Sequence, residues 1–289
     1  MLTATWSLEL PKLFKRRMTW VLALILGVLI VTLDVSVYAT LHNPDALQGR
    51  PPEMEEYLWA TLCWPTAFSD LLNAAAGNNL GGLMLVILAG AMVAQEYSWR
   101  TAHLWLGHGV SRSALLGSKF VTLALACLLF VLVPLAVGAP LTAWFTHQHT
   151  GALSLGEASV WGLVASTLRT TYTLLPYVAL TLMVAVMTRS TTAAIGVGLA
   201  WALLVEQIVR ELLGMAGGVW TTVPHYLPGG LAEVLIRLNR QTFGLEMGLY
   251  GGAGELHVEP WAATLGIALY TAVFLGLAYG VFRRQDLTE

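Results

Sequence analysis

FVTLALACLLFVLVPLAVGAPLTAWF, from Phe120 to Phe145, runs 26 residues without a formal charge. A helix rises 1.5 Å per residue and about 20 apolar residues cross a bilayer, so this stretch is long enough to span hydrocarbon. The whole chain has the same character. Of its 289 residues 56% are hydrophobic and 11% charged, with a mean hydropathy of +0.68, whereas a soluble domain carries about 25% charged residues. A single soluble core stops growing at roughly 250–300 residues, which leaves no interior for so much apolar surface. Lipid takes the excess as solvent. The expected fold is an all-α integral membrane protein, one domain over residues 1–289.

Working outward from Phe120–Phe145, the same criterion selects six spans, at about 18–41, 78–96, 120–145, 166–188, 192–213 and 261–282. The second is short and extends back into the apolar stretch before it. The first follows Lys12, Lys15, Arg16 and Arg17 and is longer than the apolar core of a secretory signal, so it reads as an uncleaved anchor. Basic residues favour the cytoplasmic side. With the N-terminus inside, the inner segments hold those four residues plus Arg100, Arg112, Lys119, Arg189, Arg283 and Arg284. The outer ones hold Arg50, Arg169, Arg210, Arg237 and Arg240 and most of the acids. Both termini are therefore expected in the cytoplasm.

The outer stretch 42–79 turns apolar from Tyr57 to Leu72 and reads as an amphipathic helix on the bundle or the leaflet. The outer stretch 214–260 is broken by Gly217-Gly218, Pro224, Pro228-Gly229-Gly230 and Gly251-Gly252, with one short helix expected over Leu231–Leu238. Pro134, Pro140 and Pro176 fall inside spans and are expected to kink them, as packing features or as gating elements. Cys127 lies within an apolar run, so no disulfide to Cys63 is expected.

Several chemistries lack their residues. There is no Gly-x-x-x-x-Gly-Lys-Ser/Thr loop to cradle a nucleotide, no His-Glu-x-x-His, no Cys-x-x-Cys and no Gly-x-Ser-x-Gly. His147-Gln148-His149, His103 and His108 come without carboxylate or thiolate partners and read as solvated loop residues, so no metal is expected. No basic run interleaves with aromatics as a nucleic-acid groove requires. No catalytic set is visible, and the chain reads as a non-enzyme without a cofactor of its own.

Charges within spans carry a functional presumption, since one at the bilayer centre costs about 2.5–3.5 kcal/mol on insertion scales. Asp34, Arg169, Glu206 and Arg210 all fall in the outer third of their spans. They either snorkel to the outer surface or form an outer polar cluster. In the cluster reading Asp34 or Glu206 neutralises Arg169 and ties spans one, four and five together.

The inner connection from Glu96 to Lys119 is more than a linker. At helical pitch Trp99, Leu104, Trp105 and Leu106 share one side, while Glu96, Arg100, His103 and His108 occupy the rest, the pattern of a helix lying in the interface. Gly107 and Gly109 permit a turn and Ser111 can cap the helix that enters span three. Arg100, Arg112 and Lys119 are sidedness anchors, or part of an element that docks a cytoplasmic partner.

Glu96, Thr101, Leu104, Leu106, Val110, Ser111, Arg112, Leu115, Leu116 and Lys119 together resemble the inner-loop motif of type-2 ABC transporter permeases. The ending Val281-Phe282-Arg283-Arg284-Gln285-Asp286-Leu287, the basic N-terminal tail and the broken outer segment between spans five and six are similar to that family as well. The family usually has Gly where Arg100 stands, and often Pro in place of Gly109. The resemblance implies a multi-pass subunit of the cell (plasma or inner) membrane, of the exporting kind. It also implies pairing with a second permease copy or homologue, contact with membrane lipid, and energy from a cytoplasmic ATPase subunit that holds ATP and Mg. It assigns Glu96, Thr101, Leu104, Leu106, Arg112 and Lys119 to an amphipathic coupling helix and its junction. The alternatives are a non-transporting accessory or sensor subunit of an ABC complex, and an intramembrane enzyme.

Overall fold

The computed structural model describes residues 10–98, 111–153, 159–244 and 258–285, and every regular element among them is helical. Helix α1 (Arg17–Leu41) is followed by three short helices, α2 (Pro44–Leu47), α3 (Pro52–Leu62) and α4 (Ala67–Ala74). Then come α5 (Leu80–Ser98), α6 (Arg112–Thr150), α7 (Val160–Thr188) and α8 (Thr191–Ala200). A π-helical turn, Trp201–Val205, joins α8 to α9 (Glu206–Ala216), and a 3₁₀ segment, Gly218–Tyr226, leads to α10 (Pro228–Thr242) and α11 (Pro260–Arg284).

Among the described residues, five helical stretches are long and apolar enough to cross a membrane: α1, α6, α7, the continuous 191–216 stretch and α11. Leu80–Ala94 is a shorter apolar helix. This is a membrane protein. α7 is the inner helix, with 72% of its most apolar window buried against 28% for α1 and 22% for α11. Its Leu174, Val178 and Leu182 meet Leu85 and Leu88 of α5 and Leu123, Cys127 and Phe130 of α6 in one cluster. The outer helices keep apolar side chains exposed (Leu24, Val28, Leu265 and Leu269 among them), as a lipid-facing surface requires.

Serines set three helix starts. Ser111, Ser159 and Ser190 each accept a hydrogen bond from a backbone N–H in the first turn, of Ala114, Gly162 and Ala193 respectively. Arg189 closes α7 in the left-handed region, with φ 54°, and Ser190 opens α8 at once, so two residues reverse the chain. The α5–α8 contact depends on small residues: a methyl group at Gly90 would press into Ile195, and one at Gly198 into Val86 and Thr181. Cys63 and Cys127 are both free thiols.

The structure changes the bounds of three elements expected from sequence. The third span is α6, 39 residues or about 58 Å long, because a serine cap and a left-handed Gly151 set its ends rather than the charge-free core. It stays helical through Pro134 and Pro140, as α7 does through Pro176. The 57–72 amphipathic helix is two helices, α3 and α4, with Trp64 between them bonding to Thr146 and Thr142 of α6. α4 then descends α6, with Leu71 against Gly138, and after a break at 75–79 α5 continues in the same sense. The short helix expected over Leu231–Leu238 is the longer α10. It begins beside Tyr177, midway along α7, and returns to Gly162 near the start of α7. Residues 99–110, the middle of the expected coupling helix, lie outside the described residues.

Candidate functional site

Glu206 opens α9 directly after the π turn, where i→i+5 bonding accommodates one extra residue. Its carboxylate is buried, at 5% exposure. The Tyr177 hydroxyl donates to it at 3.2 Å from each oxygen, and the Trp201 indole N–H donates to Oε1 at 2.9 Å. A third donor is the backbone N–H of Gly229, in the first turn of α10. A carboxylate at a helix N-terminus meets both orphan N–H groups and the positive end of the helix dipole. Only glycine fits there, because a methyl group at residue 229 would collide with Glu206 Oε2.

Tyr177, itself 2% exposed, joins this cluster to a second discontinuity. Its ring covers Gly77, in the break between α4 and α5, so closely that a methyl group there would overlap the ring. Within the break Asn79 Nδ2 donates to the Asn73 carbonyl at 2.8 Å and to Asn73 Oδ1 at 3.2 Å, satisfying an acceptor at the end of α4. Three interruptions of helix therefore meet at one level: the 75–79 break, the π turn, and the start of α10. Irregular backbone persists at membrane depth only where protein or a water-filled cavity satisfies it.

Such a cavity opens beside Glu206. It has a volume of about 200 Å³, and Asn73, Asn78 and Asn79 line one side while Arg210 of α9 and Arg237 and Arg240 of α10 line the other. Glu233, also in the lining, takes Arg237 at 3.1 Å and Arg210 at 3.9 Å.

Of the four charges predicted to cluster, the structure brings Glu206 and Arg210 to this cavity. It does not bring Arg169 to either acid. Arg169 Nη1 donates instead to Asn239 Oδ1 at 2.9 Å, and Asn239 is held in turn by Thr170 Oγ1 at 3.0 Å. Glu206 is already saturated by three donors, which removes any need for the arginine. Asp34 has Asp70 of α4 as its charged neighbour. Tyr177, Gly229, Arg237, Arg240 and the three asparagines were not singled out from sequence. The Pro228-Gly229-Gly230 start and the i, i+3 arginines of α10 were the available signals.

At the other end of the bundle Arg112 reaches from the first turn of α6 to the last turn of α11. Its Nη1 donates to the carbonyl oxygens of Phe282 at 2.8 Å, Arg283 at 2.7 Å and Gln285 at 2.9 Å. The guanidinium lies 6.0 Å from the Phe282 ring centre. Gln285 Nε2 donates to Val186 O of α7 at 2.7 Å, so three helices close on one point. An arginine at a helix N-terminus opposes its own helix dipole; this one serves the orphan carbonyls and negative end of another helix. Lys119 is buried about two turns further on. Thr101, Leu104 and Leu106 lie outside the described residues, and of Glu96 only the helical backbone is described.

A family described as "Protein of unknown function (DUF2705)" matches residues 80–288 of this chain. The chain belongs to that family. The match to DUF2705 begins at the first residue of α5 and takes in the Arg112 junction, the Glu206 cluster and the cavity arginines. Asn73, Asn78 and Asn79, on the facing wall, precede it. The chain is also 25% identical over 241 residues to "Uncharacterized protein YhcI" of Bacillus subtilis (strain 168), covering 78% of this chain and 70% of YhcI.

Proposed function

We propose that this DUF2705 chain is the membrane-spanning permease subunit of a type-2 ATP-binding-cassette transporter, an exporter driven by a separate cytoplasmic ATPase. On this reading it crosses the cell (plasma or inner) membrane six times with both ends inside. The second crossing is the α4–α5 pair, whose 8 and 19 residues stack to about 40 Å. The end carrying Arg17, Arg112, Arg189 and Arg284 faces the cytoplasm. Two such chains, identical or homologous, enclose the path.

The observation that carries the reading is the Arg112 junction. The two pieces of sequence that resemble type-2 permeases, Ser111-Arg112 and Phe282-Arg283, are 170 residues apart in sequence and joined by the arginine itself. A motor pushing on the 96–111 connection moves α6, and through Arg112 it moves α11 and α7 with it. Discontinuous helices around a polar cavity also suit a transporter.

The test is co-purification in mild detergent. A cytoplasmic ATPase should remain bound to the wild-type chain and be released by Leu104→Glu or Leu106→Glu. A cysteine placed at Ser113 should react with a membrane-impermeant thiol reagent only when the cytoplasmic face is exposed. Labelling of Ser113→Cys from outside intact cells would overturn the topology, and recovery of the chain with no ATPase would overturn the permease assignment.

A further inference from the structure

Arg189 is the only non-glycine residue with positive φ among the described residues, and it forms the tip of the two-residue reversal between α7 and α8. Glycine is the usual occupant of such a position, because a Cβ there crowds the backbone. The Arg189 side chain gains nothing inside the fold in return. It is exposed, and among the described residues its guanidinium has no hydrogen-bond or ion-pair partner. Met187, just before it, is 54% exposed. The tip is also fixed to its neighbours. Gln285 Nε2 donates to Val186 O at 2.7 Å, and the Gln285 carbonyl takes Arg112 at 2.9 Å. The α7–α8 tip, the start of α6 and the end of α11 therefore form one platform. Across the Gln285 contact Arg283 and Arg284 are exposed, and their guanidiniums too are without partners among the described residues. Every acid whose side chain is described, from Asp34 to Glu259, lies nearer the opposite end of the bundle.

We propose that the Arg189 tip is a second docking point for the cytoplasmic ATPase, meeting an acidic and partly apolar surface of that partner. The inference rests on the permease reading and adds a contact to the 96–111 connection. Exposed methionine beside arginine is the composition of a protein interface, and a guanidinium fork matches a carboxylate through two parallel bonds. Anionic lipid headgroups would suit the charge but not the position. α7 is the most buried of the long helices, so its tip emerges within the end face of the bundle, away from the perimeter that meets lipid. Engagement at two points lets the motor press on α6 through the connection and on α7 directly. The Gln285 and Arg112 bonds keep the two movements in step.

The test measures how much ATPase the full chain retains in mild detergent, the ATPase being recognised by a Gly-x-x-x-x-Gly-Lys-Ser/Thr peptide in mass spectrometry. Arg189→Glu should lower retention by about tenfold or more. Because a charge reversal can disturb folding, Arg189→Gly is the second variant. A φ of 54° suits glycine, so its unfolding temperature should equal or exceed that of wild type while retention falls several-fold. Retention should also fall more steeply with added salt in wild type than in Arg189→Gly, as the loss of an ion pair requires. Arg17→Glu makes the same charge change at the start of α1 and should leave retention intact. Unchanged retention in both Arg189 variants, with release by Leu104→Glu, overturns this docking point and leaves the permease reading standing. Equal release by Arg17→Glu overturns it as well, since general charge then suffices. A wild-type chain that retains no ATPase overturns the permease reading and this inference with it.

Discussion

The two ends of the bundle solve inverse electrostatic problems. At the Arg112 junction one guanidinium nitrogen serves three carbonyl oxygens. In the cavity three guanidiniums stand around one lining carboxylate, which pairs with Arg237 and Arg210. The first arrangement spends the Nη1 donors on the protein's own backbone and ties α6 to α11. The second gathers three like charges around a space. The same residue type thus ties helices together in one place and lines a space in the other.

The largest expected effect breaks the clasp. Arg112→Ala removes three charge-assisted bonds and leaves the end of α11 without a cap, at a cost of about 3 kcal/mol. Thermal unfolding in detergent should show a clear loss, with Arg112→Lys recovering part of it, since an ammonium retains the charge but not the reach. An unchanged midpoint in the alanine variant would mean that the junction is not a structural tie.

Next in size is Gly229→Ala, which drives a methyl group into the Glu206 carboxylate. Overpacking of this kind costs about 2 kcal/mol. The sharper measurement is the cycle with Glu206→Ala. Glu206→Ala makes room for the methyl group but strands the Tyr177, Trp201 and Gly229 donors, so both single variants lose stability. The double variant should lose less than their sum. Strict additivity would show that the two residues do not touch in the working protein. Tyr177→Phe is milder. It deletes one donor from a carboxylate that keeps two others, for about 1 kcal/mol.

These residues mark where the sequence was readable. Long charge-free runs such as Phe120–Phe145 announce their spans, because lipid tolerates little else. The helix ends do not follow from hydropathy: Ser159 and Gly151 extend or stop helices by satisfying backbone groups, independently of which residues meet lipid. Glu206 stood out because a buried charge is expensive. Its partners did not, since Tyr177 and Trp201 within apolar runs look like any lipid-facing aromatic until their polar atoms are placed. Arg237 and Arg240 fell in what reads as an outer connection, and only the return of α10 along α7 puts them beside Arg210. Arg112 and Phe282 each belonged to a recognisable pattern, but no periodicity links positions so far apart.

The smallest predicted effect separates clasp from cavity most directly. Arg210→Gln removes an exposed pair with Glu233 at 3.9 Å, both side chains 45% exposed, and pairs of that kind contribute about 0–1 kcal/mol. It also relieves repulsion among three like charges. The two terms oppose each other, so the variant should unfold within about 0.5 kcal/mol of wild type. The protein's own need for the arginine should be almost none. A loss as large as that of Arg112→Ala would show that the cavity arginines hold the fold together, and the contrast between the two ends would disappear.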